Sequence, residues 1–292
     1  MSSDDGTPYV IRVAPEGTEA DVRSWLLGTD ADGAKQTGPD RLLEALEGNR
    51  RIGALWVIIS PGRIATLIGP RTDNAPDDIG ARLIDEANGF IDRRQVTLAQ
   101  VLLDLHQESL AQLFHAAGYE HVVELDYLVS TSRPSDPHKR TPEGISYEPY
   151  QATMQERLQH LLGRTYEASQ DCPALNGVRQ LDDVLDGYRY AGAGRDQNWY
   201  LIKFDGEDVG CLLLADHPAD DRWEMIYLGV VPERRGQGIA IAATYYAQRQ
   251  AKRAGRARLT LAVDATNRPA QFLYHKAGFI QWDRRRVLLR FC

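Results

Sequence analysis

The stretch Val231-Pro232-Glu233-Arg234-Arg235-Gly236-Gln237-Gly238-Ile239-Ala240 follows a strand-like apolar run, Met225-Ile226-Tyr227-Leu228-Gly229-Val230, and leads into a helix of small residues. A strand, a glycine turn and a helix in that order make an anion cradle. The first N–H groups of a helix have no intrahelical partner and lie at the positive end of its dipole. A turn without side-chain bulk can therefore wrap a phosphate or pyrophosphate there. Gly236 and Gly238 supply the clearance, and Arg235 adds a fixed positive charge. A short Gly-x-Gly turn on its own is equally a tight connection, so its meaning depends on the chain around it.

That chain has 292 residues, long for one core and comfortable for two domains. No apolar run approaches the roughly 20 residues of a membrane helix, and the polar, acidic start Met1-Ser2-Ser3-Asp4-Asp5 is unlike a signal peptide. The expectation is a cytoplasmic protein with no membrane partner. A net charge of −7 argues against a nucleic-acid partner, which calls for a basic face. Cys172, Cys211 and Cys292 form neither a disulfide framework nor a ligand spacing, and the seven histidines are dispersed singly, so no metal is expected.

Working outward, apolar periodicity predicts strands at 54–59 and 64–68 around the turn Ser60-Pro61-Gly62-Arg63, a helix at 79–91, a strand at 98–103, a helix at 108–117 and a strand at 122–129. The second half predicts helices at 154–166 and 181–190 and a hairpin at Asp205-Gly206. The glycine turn follows, then a strand at 258–263, a helix at 269–277 and a closing strand at 287–291. Alternating helices and strands make the class mixed α/β. A shift of 160 residues lays Leu273-Tyr274-His275-Lys276-Ala277-Gly278-Phe279 on Leu113-Phe114-His115-Ala116-Ala117-Gly118-Tyr119, and Asp264 on Asp104, in one register. The halves read as two tandem copies of one fold, residues 1–130 and 144–292, joined by the Pro-, Ser- and Thr-rich linker 131–143.

Arg235-x-x-Gly238-x-Ala240, followed by Asn267-x-x-Ala270-x-x-Leu273-Tyr274-x-x-x-Gly278-Phe279, resembles the two core motifs of the GNAT superfamily of acyl-CoA-dependent N-acyltransferases. The resemblance covers the second half in element order and the first half in layout only. It implies two tandem GNAT-like domains, each a splayed mixed sheet flanked by helices. It also implies acetyl-CoA as acyl donor, entering where the strands at 224–231 and 258–263 part. Backbone groups of Leu228, Gly229, Val230 and Val231 would then take the pantetheine arm. Amides of Gly236, Gln237, Gly238, Ile239 and Ala240, with Arg235, would hold the pyrophosphate, and Asn267 and Ala270 would face the donor. Tyr274 matches the general acid that protonates the leaving thiolate, and Glu224 a base for the attacking amine, with Asp216 and Glu207 as other candidates for that base. The implied reaction is acetyl transfer to an amine of a small molecule or peptide by direct attack in a ternary complex. The alternative is an acyl-CoA-sensing protein without catalysis.

The first copy departs from the pattern. The cradle becomes Ala75-Pro76-Asp77-Asp78, Asn267 becomes Gln107, and Tyr274 becomes Phe114, which has no proton to give. Carboxylates stand where a pyrophosphate would, so the first copy reads as degenerate. Its expected role is that of a missing subunit, giving a monomer built as a pseudo-dimer, or a regulator-binding domain.

Overall fold

The computed structural model describes residues 9–28, 40–131, 142–175, 177–194 and 196–292. The strands are β1 (Tyr9–Val13), β2 (Asp40–Glu47), β3 (Arg50–Ser60), β4 (Ile64–Thr72), β5 (Leu98–Asp104), β6 (Glu120–Thr131), β7 (Ile145–Pro149), β8 (Trp199–Phe204), β9 (Glu207–His217), β10 (Arg222–Val230), β11 (Arg258–Asp264) and β12 (Ile280–Phe291). The α-helices are α1 (Glu19–Leu27), α2 (Ile79–Asp92), α3 (Glu108–Ala116), α4 (Gln155–Tyr166), α5 (Leu181–Arg189), α6 (Ile239–Arg253) and α7 (Arg268–Lys276). The internal repeat is literal in these bounds. β11, α7 and β12 begin and end 160 residues after β5, α3 and β6. The class is α/β, as the alternation predicts, with open mixed sheets flanked by helices, as the resemblance implies.

The chain forms two compact units, one of Met1–Val122 with Arg286–Cys292 and one of Val123–Arg285. The closing strands are therefore exchanged. Most of β6 belongs to the second unit, where it pairs antiparallel with β11 from Arg258↔Thr131 to Asp264↔Leu125. The end of β12 belongs to the first, and its Leu288, fully buried, sits in the same core as Leu83, Ile84 and Phe114. The linker expected at 131–143 lies, from 132 to 141, outside the described residues.

In the first unit β1, β2, β3 and β4 pair antiparallel and β4 pairs parallel with β5. The hydrophobic-pattern reading overlooked β2, because Asp40-Arg-Leu-Leu-Glu-Ala-Leu-Glu47 is made of good helix formers. Tertiary burial overrides that propensity. Leu42 packs with Val22 and Leu26 of α1, while Leu43 packs on the opposite face with the α2 side chains. The strand thus needs apolar residues pointing both ways.

In the second unit β7, β8, β9 and β10 pair antiparallel. The run Cys211-Leu212-Leu213-Leu214 in β9 is fully buried on both faces, as a central strand requires. On α6 the buried residues Ile239, Ala243, Ala247 and Ala251 recur every four positions, and the small alanines let the helix lie close to the sheet. β10 pairs parallel with β11 only at Arg222↔Arg258, Trp223↔Leu259 and Glu224↔Thr260. Beyond Glu224 the two strands no longer pair, and the sheet opens.

The exchange has a measurable consequence. Leu288→Ala is expected to cost about 2–5 kcal/mol, the usual range for a fully buried leucine. Hydrogen exchange should loosen residues 40–104, far earlier in the chain. Leu128→Ala, in the core that holds Trp199 and Leu259, should loosen 199–264 instead. The reverse pattern would mean that each half closes on its own last strand.

Candidate active site

The opening between β10 and β11 leads into a cavity of about 640 Å³. One wall is Met225 to Val230 of β10, and the other is Ala262 and Val263 of β11 with Asn267, Ala270 and Tyr274 of the following turn and α7. The floor at one end is Arg235, Gly236, Gly238, Ile239 and Ala240 at the start of α6. Thr165 at the end of α4, with Ala168, Ser169, Gln170 and Asp171 after it, also lines the cavity.

The turn before α6 requires its glycines. Gly236 and Gly238 have φ of +77° and +79°, the left-handed region, and a side chain at Gly236 would meet nothing within 4 Å. Gly238 is the N-cap of α6, and no side chain caps that end. The first-turn N–H groups stay available to an anion, with the helix dipole behind them. In β10, Gly229 lies so close to its surroundings that a Cβ would stand 2.7 Å from Thr165 and from the Tyr227 hydroxyl. Such proximity leaves room for backbone only.

Arg235 does something the sequence did not disclose. Its guanidinium donates to the carbonyls of Val230, Thr165, Glu167 and Ala168, at 2.8–3.1 Å. These bonds tie the C-terminal end of α4 to the end of β10, so the cation faces the carbonyl end of a helix. Asn267 caps α7, its Oδ1 accepting from the Ala270 N–H at 3.2 Å. Tyr274 is 9% exposed and lines the cavity. Burial, and then the negative charge of Asp171, push its phenol above the ordinary value, so it is protonated throughout the physiological range.

Of the residues singled out in the sequence, Leu228, Gly229, Val230, Arg235, Gly236, Gly238, Ile239, Ala240, Asn267, Ala270 and Tyr274 are brought together on one cavity. Val231, Gln237 and Glu224 do not line it. Val231 is buried in the core, and its N–H donates to the Val209 carbonyl at 2.9 Å. The Gln237 side chain donates to the Glu233 carbonyl at 3.2 Å. Glu224 lies at the closed end of the splay, 2.9 Å from His217 Nε2 and 3.1 Å from Arg222 Nη1. Burial would raise its carboxyl, but His217 and Arg222 outweigh burial and hold it below the usual range. Asp216 is committed to a two-bond pair with Arg256 at 2.7 and 2.9 Å.

Sequence reasoning missed Thr165, Tyr227 and Asp171. Asp171 follows Glu167-Ala168-Ser169-Gln170, a polar run with no periodicity, where an acid reads as solvated. Among the described residues no helix is long and apolar enough to cross a membrane. No cluster of three or more potential metal ligands occurs among them either.

In the first unit the equivalent helix start carries Asp78, whose carboxylate accepts from the Tyr9 hydroxyl at 2.6 Å and pairs with Arg82 at 3.0 Å. Phe114, at the position matching Tyr274, is fully buried.

Residues 157–279 match the acetyltransferase (GNAT) family. A mycothiol acetyltransferase of Pseudarthrobacter chlorophenolicus is 25% identical over 96% of this chain and 85% of its own length. Among solved structures, a GCN5-related N-acetyltransferase from Sphaerobacter thermophilus is similar with a TM-score of 0.66 at 16% identity, covering 97% of this chain and 96% of that one. A tandem GNAT protein from the clavulanic acid biosynthesis pathway has a TM-score of 0.56 at 14% identity, with 97% and 98% covered. At such identities the structural likeness speaks for the fold.

Proposed function

We propose, from the premise that this chain belongs to the GNAT superfamily and is an acyltransferase, that its second unit moves an acetyl group from acetyl-CoA to an amine of a small molecule or peptide by direct attack. One observation carries this reading. A neutral phenol, Tyr274, lines the same cavity as an uncapped helix start with two left-handed glycines. The residues present fit the donor. The start of α6 suits a pyrophosphate, and the unpaired edges of β10 and β11 beyond Glu224 suit an amide-bearing arm.

Acetyl-CoA supplies an activated acyl carbon. The chain supplies the anion cradle at Gly236–Ala240, a largely apolar wall of β10, and a proton for the departing sulfur at the Tyr274 oxygen. The first unit is read as binding no donor, since Asp77 and Asp78 stand where the pyrophosphate would and Phe114 has no proton to give. Its retention as a structural partner of the catalytic unit is part of the same proposal.

Thiol release from acetyl-CoA across a panel of amines, with mycothiol lacking its acetyl group included because of the named relative, tests the activity. Calorimetry tests the count. One acetyl-CoA per chain is expected, and two would overturn the degenerate reading of the first unit. Tight binding without turnover on any amine would replace the enzyme by an acyl-CoA-sensing protein.

A further inference from the structure

The geometry points to Asp171 as the general base of the second unit, the group that takes the proton from the acceptor's ammonium; the assignment rests on the acetyl-transfer reading above. Asp171 sits in the segment between α4 and α5 and lines the cavity together with Tyr274, Asn267 and Tyr227. Asp171 is solvent-exposed as a residue, and its carboxyl meets protein at the Asp264 backbone and the Asn267 side chain.

The segment that carries it is held at both ends. Arg235 binds the carbonyls of Thr165, Glu167 and Ala168 on the near side. On the far side Asp171 Oδ1 accepts from the Asp264 N–H at 3.2 Å, and the Cys172 N–H donates to Asp264 Oδ2 at 3.2 Å. Ala168 and Cys172, neither of them glycine, both adopt positive φ, at 50° and 44°. Strained backbone of this kind costs about 1–3 kcal/mol per residue and persists where its surroundings over-determine it. Here it brackets the residues that face the cavity. The segment spans the opening from the end of β10 to the end of β11, and Asp171 is its carboxylate over the gap.

The groups facing Asp171 tune it in one direction. Desolvation raises its carboxyl first. The Asp264 backbone N–H opposes this, the Asp264 carboxylate adds to it, and the Asn267 side chain opposes it, with a net rise. Asp264 itself is 2% exposed and already accepts from the Thr266 N–H and hydroxyl at 2.7 Å, so it stays a fixed neighbour. Tyr274 on α7, Tyr166 on α4, Tyr227 on β10 and Cys172 beside it all have their own acid groups pushed up, each chiefly by burial and in part by the Asp171 charge. No arginine or lysine pairs with Asp171 among the interactions described for it. Glu224 is the opposite case, held low between His217 and Arg222. A carboxylate with a higher pKa is the stronger base and works nearer neutral pH.

The proton account closes. Asp171 takes one proton from the acceptor's R–NH3+, and the freed nitrogen lone pair makes the N–C bond to the acyl carbon. The C–S bond breaks with its electron pair on sulfur, sulfur takes the Tyr274 proton, and the surplus proton of the amide nitrogen returns to the Tyr274 oxygen. Asp171 then releases its proton to solvent through the cavity. Base and acid are coupled, because protonating Asp171 removes the negative charge that raises the Tyr274 phenol. Tyr274 becomes a better acid at the moment the sulfur needs a proton.

Asp171→Asn keeps an acceptor for the Asp264 N–H and removes the base. With acetyl-CoA and an amine that the wild-type protein turns over, kcat should fall about 10²-fold and the acidic limb of its pH profile should vanish. Acetyl-CoA affinity should be unchanged, and Glu224→Gln should leave the limb in place. A variant that keeps both rate and limb, or a limb lost in Glu224→Gln instead, overturns the assignment. A second reading needs no turnover. In the wild-type protein, side-chain carbon NMR should show the Asp171 carboxyl titrating above the ordinary value of about 3.9, and titration at or below that value also overturns it. Absence of turnover on every amine would sink the acetyl-transfer reading itself, whereas turnover with an unaltered limb in Asp171→Asn sinks only the base assignment.

Discussion

Tyr274→Phe is expected to lower kcat for acetyl transfer by about 10²- to 10⁴-fold, the span in which a positioned acid or base acts, and to leave acetyl-CoA affinity nearly unchanged. The substitution removes one oxygen from a residue already 9% exposed and packed against Phe279 with ring centroids 5.7 Å apart. The ring, and with it the cavity wall, should stay. What goes is the one acidic proton of that side chain. Because the phenol is raised by burial and by Asp171, it is in its acid form at neutral pH, and the loss should be greatest for acceptors whose reaction is limited by departure of the thiolate. Stopped-flow thiol release at saturating acetyl-CoA separates the kcat effect from binding. An unchanged kcat at every pH would remove Tyr274 from the chemistry. The first unit has made this substitution already, with Phe114 at the matching position.

Gly238→Asp is expected to raise the dissociation constant for acetyl-CoA by about 10²- to 10³-fold. Two effects combine. Gly238 has φ +79°, and a residue with a Cβ pays roughly 1–2 kcal/mol there, less for Asp and Asn, which tolerate that region. The larger effect is charge, since two like charges about 4 Å apart at an effective dielectric of about 20 repel by roughly 4 kcal/mol. Gly238→Asn separates the two. It carries nearly the same backbone cost without the charge, and calorimetry should find its affinity within about tenfold of wild type. Equal losses for Asp and Asn would mean that shape rather than charge governs the cradle, and no loss in either would place the pyrophosphate elsewhere. Asp78 of the first unit, bonded to Tyr9 and Arg82 at the matching helix start, shows the same substitution stably accommodated by a fold.

Much of this was legible in the chain. The glycine turn before α6 was, and the structure gives both of its glycines the left-handed backbone that only a missing Cβ makes easy. The repeat was, because one shift of 160 residues carries β5, α3 and β6 onto β11, α7 and β12. Strand β2 was not, since its leucines and glutamates favour a helix locally and only burial on both faces makes them a strand. The roles of Arg235 and Asp171 were not either. A motif states that a cation or a carboxylate is present, and only the fold states which atoms face it.

Local pattern is what a sequence encodes directly. Periodicity, turn chemistry and the spacing of Gly236, Gly238, Asn267 and Tyr274 determined the class of the elements and the existence of two copies, and singled out the copy for which a donor site is proposed. Non-local pairing decided the rest. The exchange of β6 and the end of β12 between units depends on which edges meet in space, as a strand carries the same alternation whichever sheet it joins. The parting of β10 from β11 after Glu224 turned a strand-turn-helix into a cavity. The segment tied down by Arg235 and Asp264 brought Asp171 to that cavity from about a hundred residues away, because side-chain charge and backbone carbonyls find partners by distance in space and not along the chain.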